Sequence, residues 1–140
     1  MSIQLWPLVV LMLAPSSSVA GDVKLPCEGS KDEAQMRTCL TTELKNAESD
    51  LQRYTDECKR VLSVRSDVIA SLEHANAAWR SFRDADCEAV SKHNLPGSAY
   101  PEFQDMGCKL VQTRFRILDL WREYLTRSKD VKLPEPPALE

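Results

Sequence analysis

The sequence predicts an all-α fold: an antiparallel bundle of three main helices stabilised by two disulfides, with an irregular loop between helices two and three. Three observations carry that expectation. Three long segments repeat apolar residues at steps of three and four, a proline- and glycine-containing stretch separates the second from the third, and five cysteines follow an apolar leader.

The leader comes first. Residues 1–20, MSIQLWPLVVLMLAPSSSVA, contain no charged side chain, hold an apolar run from Leu5 to Ala14 broken by Pro7, and end in Ser18-Val19-Ala20. This reads as a secretory signal peptide cut after Ala20, its run shorter than the ~20 residues a membrane span needs. Cys27 follows VKLP rather than a small-residue lipidation context. The expectation is a periplasmic or secreted protein with no stable membrane insertion once the signal is cleaved. It divides into the signal (1–20), a helical domain (21–128) and a disordered proline-rich tail (129–140).

The first helix is expected from Lys31 to about Arg65, with its stripe at Met36, Leu40, Leu44, Ala47, Leu51, Tyr54, Cys58 and Val61. Ser30, three residues before Glu33, has the form of a capping box. The second helix starts near Ser66 or Asp67 and fades around Lys92, with Ile69, Leu72, Ala75, Trp79, Phe82 and Asp86 or Cys87 inward. Then HNLPGSAYPEFQD, carrying Pro96, Gly97 and Pro101, reads as an irregular loop of about a dozen residues, a length usually functional or disordered. The third helix is expected from about Gln104 to Ser128, with Cys108, Val111, Phe115, Leu118, Trp121 or Arg122, and Leu125 on one side. The tail KDVKLPEPPALE lacks apolar periodicity. Its DVKLP repeats residues 22–26, which is too short to define a structural unit.

The chemistry-bearing residues are sparse. With 18 Lys+Arg against 21 Asp+Glu there is no basic footprint, so no nucleic-acid partner is expected. His74 and His93 do not stand at metal-ligand spacing, and no Cys-x-x-Cys, HExxH, Gly-x-Ser-x-Gly or phosphate loop occurs. Asp84 and Asp86, two apart on a helix, point to different faces. No catalytic, cofactor-binding or metal set is expected, and the protein does not read as an enzyme.

Five cysteines, 27, 39, 58, 87 and 108, leave one odd thiol, and two bridges can be drawn in fifteen ways. The helix layout favours Cys87 with Cys108, at the two feet of the loop, and Cys27 with Cys39, where a few extended residues run back along helix one. Cys58, on the stripe, reads as a buried apolar residue. In AAWRSFRDADCEAV, residues 77–90, Trp79 and Phe82 read as core. Arg80 and Asp84 form an i,i+4 surface pair, and Arg83, near Asp86, braces the root of the loop.

These blocks carry a resemblance. CEGSKDEAQMRTCLTTEL (Cys27, Met36, Cys39), AAWRSFRDADC (Ala78, Trp79, Arg83, Asp84, Cys87), PGSAYP (Gly97, Ser98) and CKLVQTRFRILDL (Cys108, Thr113, Arg116, Leu120) together resemble the LprI-like lysozyme-inhibitor family of small exported bacterial helical proteins. The likeness covers about residues 27 to 125. It implies bridges 27/39 and 87/108, with Trp79, Phe82, Arg83 and Asp84 in the structural block, and it does not account for Cys58.

The activity it implies is binding and blocking a peptidoglycan-cleaving lysozyme or other muramidase. From the loop at 91–104, His93, Asn94, Ser98, Tyr100 and Glu102 are the partner-binding residues our reading adds, placed to plug a concave cleft. Animal lysozymes are generally basic, so an acidic inhibitor gains association rate. The alternatives are an immunity protein against a secreted toxin and a structural or stress-related envelope protein.

Overall fold

A computed structural model describes residues 27–94 and 100–137. The signal peptide, the first DVKLP, Ser98 and residues 138–140 lie outside the described residues. The described chain forms α1 (Glu33–Val61), α2 (Ser66–Asn94) and α3 (Pro101–Leu120), followed by a π-helical turn over Trp121–Leu125. Helix α2 runs antiparallel to the other two, so α1 and α3 start at the same end. There Arg37 meets Glu102 and Thr41 meets Met106, while Cys58 lies near Leu120 at the far end.

Helix α1 starts two residues later than the Ser30 capping box predicts. Asp32 Oδ1 accepts from the Gln35 amide at 2.8 Å, and Gln35 Oε1 accepts from the Lys31 amide at 3.1 Å. This is the same reciprocal logic on a shifted frame. Ser30 is occupied instead in the turn begun by Cys27, whose φ of 73° folds the arm back towards Cys39. Two disulfides form, Cys27–Cys39 and Cys87–Cys108. Cys58 is free and buried at 0% exposure. Desolvation pushes its thiol up to about 12, with the Glu57 charge adding to the shift, so this position serves packing and offers no thiolate.

The α1 stripe lies inward as its spacing predicts, but the inward faces of α2 and α3 are rotated from the expected ones. On α2 Arg83 is buried and Asn76 half-buried, while Ala75 is exposed and Phe82 is 60% exposed. On α3 the buried residues are Leu110, Thr113, Ile117 and Leu120, and Phe115 is half-exposed. The cause is polar partnering. Arg83 Nη1 donates to Thr113 Oγ1 at 2.8 Å and pairs with Glu48, and its guanidinium lies 5.1 Å over the Trp79 ring. Arg116 gives two hydrogen bonds to Asn76 Oδ1, at 3.1 and 2.7 Å, and Asn76 donates to Thr55 at 3.3 Å. Polar groups with such partners lose little on burial.

The core is therefore two apolar clusters. One, towards the loop end, centres on Leu40, Ala47 and Leu110. The other, around Leu51, Tyr54, Leu72, Ile117 and Leu120, is larger. Between them Glu48, Arg83 and Thr113, one from each helix, form a polar layer. Asp84, expected to pair with Arg80, accepts from Arg83 instead at 2.9 Å. Asp86 accepts from Gln112 at 2.8 Å rather than from Arg83.

Beyond α3 the backbone departs from the expected regular helix, while Trp121 and Leu125 turn inward as their stripe positions predict. The π-turn, closed by the Thr126 amide on the Trp121 carbonyl at 3.0 Å, places Leu125 in the core and Trp121 edge-on to Tyr54 at 6.4 Å. The tail, expected to be disordered, lies along α1 as far as residue 137. Val131 and Leu133 pack against the larger cluster, and the Tyr54 hydroxyl donates to the Pro134 carbonyl at 2.7 Å. Two apolar residues and a few bonds to α1 hold a segment whose composition alone lacks the periodicity of an element.

The strongest of these tail contacts is at Glu57. Arg60 grips its carboxylate with two bonds, at 2.6 and 2.8 Å, and the Lys132 amide donates to it at 2.5 Å. The Arg60 hydrogen bond, helped by the Lys132 amide, holds the Glu57 carboxyl down at about 2 from an ordinary 4.5. A depressed carboxyl stabilises the fold fully above its unfolded value and loses that contribution as pH falls towards the folded one. The tail is accordingly expected to loosen between about pH 4.5 and pH 2. The protection factor of the Lys132 amide, the exchange rate of the free peptide divided by its own at the same pH, should fall across that window in the parent, and Glu57→Gln should show the low value already at neutral pH.

Candidate functional site

The end of the bundle where α1 and α3 begin and α2 finishes collects most of the sequence-predicted contact residues. It is narrower than predicted. Helix α2 continues through Asn94, and Pro101 opens α3 instead of lying in a loop. Proline suits a first helical turn, where its missing N–H has no partner to lose. Both edges of the expected 91–104 loop are thus helical, and each is tied to the other by Cys87–Cys108, whose Cα atoms are 5.6 Å apart.

His93 is exposed on the last turn of α2, and Asn94 is that helix's last residue. Tyr100 is 43% exposed, immediately before α3. Its ring stacks on Phe103 with centroids 5.3 Å apart and planes 9° from parallel. On α1, the Arg37 guanidinium lies 5.1 Å over the Phe103 ring and bonds Glu33 and Glu102 at 2.9 Å each. Tyr100, Phe103 and Arg37 thus make a layered ridge, with Glu33 and Glu102 at its sides.

The electrostatics follow from those contacts. A hydrogen bond with Glu33 raises the Tyr100 hydroxyl above its ordinary value. The Glu102 carboxyl is lowered, first by its own backbone amide at the start of α3 and then by Arg37, as expected for an acid at a helix N-terminus. Beside the ridge, between α2 and α3, runs a groove of about 460 Å³ that includes Asp84, Glu88, Lys92, Glu102, Asp105 and Lys109. Its charges are paired, Lys92 with Glu88 at 2.5 Å, Lys109 with Asp105 at 2.7 Å, Asp84 with Arg83 and Glu102 with Arg37 at 2.9 Å each, so the groove is strongly polar with its carboxylates locally balanced.

The structure brings His93, Asn94, Tyr100 and Glu102 to one end of the bundle. It sets Trp79, Arg83 and Asp84 further down α2 as bracing, and turns Phe82 outward. Arg37, Phe103 and Glu33 were not singled out by the sequence. The only signal available was Glu33 and Arg37 at i,i+4; their approach to Phe103 and Glu102 needs the parallel setting of α1 and α3. Among the described residues no group of three or more His, Cys, Asp or Glu is placed to hold a metal ion. No described helix is long and apolar enough to cross a membrane.

A protein-family model described as lysozyme inhibitor LprI matches residues 27–120. That span begins at Cys27, takes in both disulfides and ends with α3. No curated protein and no solved structure matches this chain.

Proposed function

We propose, from the premise that this chain belongs to the lysozyme inhibitor LprI family, that it is an exported protein which binds a peptidoglycan-cleaving lysozyme and blocks its cleft. The two disulfides suit an oxidising compartment, periplasmic or extracellular. The observation that carries the reading is the ridge of Tyr100, Phe103 and Arg37, set on two helix starts and flanked by a polar groove.

A rigid aromatic with a hydroxyl at its tip is a good anchor for a concave, hydrogen-bonding cleft. It offers contact area at low entropic cost. The chain's net charge of -3 complements a basic animal-type lysozyme, which speeds encounter. The Arg37 contacts hold Phe103 and Glu102 in place before binding, so little ordering is left to do on association.

The test is an inhibition assay on labelled cell wall with a panel of lysozymes. Tyr100→Ala with Glu102→Ala is expected to weaken inhibition about tenfold or more, the loss of roughly 1.4 kcal/mol at a central contact, with helical circular dichroism unchanged. Undiminished inhibition by that variant would move the site to a helix face. If the parent protein in excess slows none of the lysozymes, the inhibitor reading fails.

A further inference from the structure

Away from the loop end, the tail and the adjoining faces of α1 and α3 enclose a cavity of about 500 Å³, within the usual range for small-ligand sites. Its floor is apolar. Ala47, Tyr54 and Ile117 are buried there, and Pro134 and Pro136 close it from the tail side. Its rim is polar, with Asn46, Asp50 and Arg53 from α1, Glu43 facing Arg114 of α3, and Glu135 from the tail.

The rim's own bonds use only part of its capacity. Arg53 Nη1 donates to Asp50 Oδ1 at 2.7 Å, and Arg114 Nη2 donates to Glu43 Oε2 at 2.5 Å. Each bond engages one nitrogen of a five-donor guanidinium and one oxygen of a two-oxygen carboxylate. Donors and acceptors therefore alternate around the rim. Two guanidiniums face three carboxylates, so a fully charged ligand of either sign would meet repulsion as well as attraction. A neutral polyhydroxylated ligand would not. Its hydroxyls can donate to Asp50 and Glu43 and accept from Arg53, Arg114 and Asn46, while its C–H faces lie on the proline and alanine floor.

We propose that this tail-walled cavity is a binding site for a short neutral oligosaccharide, distinct from the lysozyme-facing end. The site does not rest on the lysozyme reading, because no residue of the Tyr100 ridge takes part in it.

The experiment is a titration of the ¹⁵N-labelled chain, tail included, with chitotriose, followed by amide shifts. Saturable shifts are expected at Asn46, Ala47, Ile117 and Glu135, with the Tyr100 end unmoved. Asn46→Ala with Glu135→Ala changes two exposed side chains, so the parent spectrum should be retained while the dissociation constant rises at least fivefold. Tyr100→Ala should leave it unchanged. An absence of saturable shifts at millimolar chitotriose, shifts centred elsewhere, or equal affinity in the Asn46/Glu135 variant would each overturn the proposal.

Discussion

Arg83→Ala is expected to cost about 2–4 kcal/mol of folding stability, the largest loss for a single residue outside the apolar core. Arg83 is 6% exposed and touches all the parts it could brace: Glu48 of α1, Thr113 of α3, and Asp84 and Trp79 of its own helix. Alanine removes these contacts together and strands Glu48 beside an apolar void. The Glu48 side chain keeps 33% of its exposure, so water relieves part of its charge and holds the cost below that of a fully buried ion. For a domain of this size each kcal/mol moves the melting point by roughly 4–8 °C, which places the expected drop at about 8–32 °C. Urea unfolding should show a lower midpoint at unchanged slope.

A second variant separates the charge from the packing. Arg83→Met with Glu48→Gln fills the space and leaves no unpaired charge, so it should recover more than half of the loss. If it does not, geometry rather than desolvation is what Arg83 supplies. A loss below about 1 kcal/mol in Arg83→Ala would mean that Glu48 and Thr113 find other partners and the polar layer is not a brace.

That layer also explains which parts of the fold could be read from the sequence. The inward face of α1 is legible because its stripe, from Met36 through Leu51 to Val61, is apolar at each step, and the polar groups that join it, Glu48, Thr55 and Glu57, lie beside the stripe. The α2 face is displaced by one residue at two points, Asn76 for Ala75 and Arg83 for Phe82. An apolar-periodicity argument assigns polar residues outward and has no means of knowing that Thr55, Glu48, Thr113 and Arg116 wait to receive them. On α3 the same argument chose Phe115 over Thr113, for the same reason. The cysteine pairs fared better because covalent reach depends on element ends, which the proline and glycine punctuation marks well.

The candidate site was partly legible. Tyr100 and Glu102 stood out because a long connection between amphipathic helices attracts attention. Their partners did not, because Arg37 lies 65 residues from Glu102 and only the parallel setting of α1 and α3 joins them. The tail was misread for a related reason. Residues 129–137 have no element of their own, and their order comes from Glu57, Arg60 and Tyr54, at sequence separations of 70 to 80.

Removing Cys87–Cys108 is expected to lower stability by about 3 kcal/mol, the chain-entropy cost of freeing a loop closed over a separation of 21 residues. Cys87→Ala with Cys108→Ala is the suitable variant, because Cys87 is fully buried and serine would add a buried hydroxyl. The folded state should feel the loss locally. The bridge joins the last turns of α2 to the first turns of α3, and without it His93 and Tyr100 are carried on ends free to separate. Hydrogen exchange should therefore rise at residues 88–93 and 101–106 while the Leu51–Leu120 cluster stays protected. Inhibition of lysozyme should fall more than the stability loss alone explains at a temperature where the variant is fully folded. The Cys27–Cys39 bridge closes a separation of only 12 and ties an arm to its own helix, so removing it with Cys27→Ala and Cys39→Ala should have a small effect on the α2–α3 end. Equal loss of inhibition from the two pairs would show that the whole end of the bundle, α1 included, forms the contact.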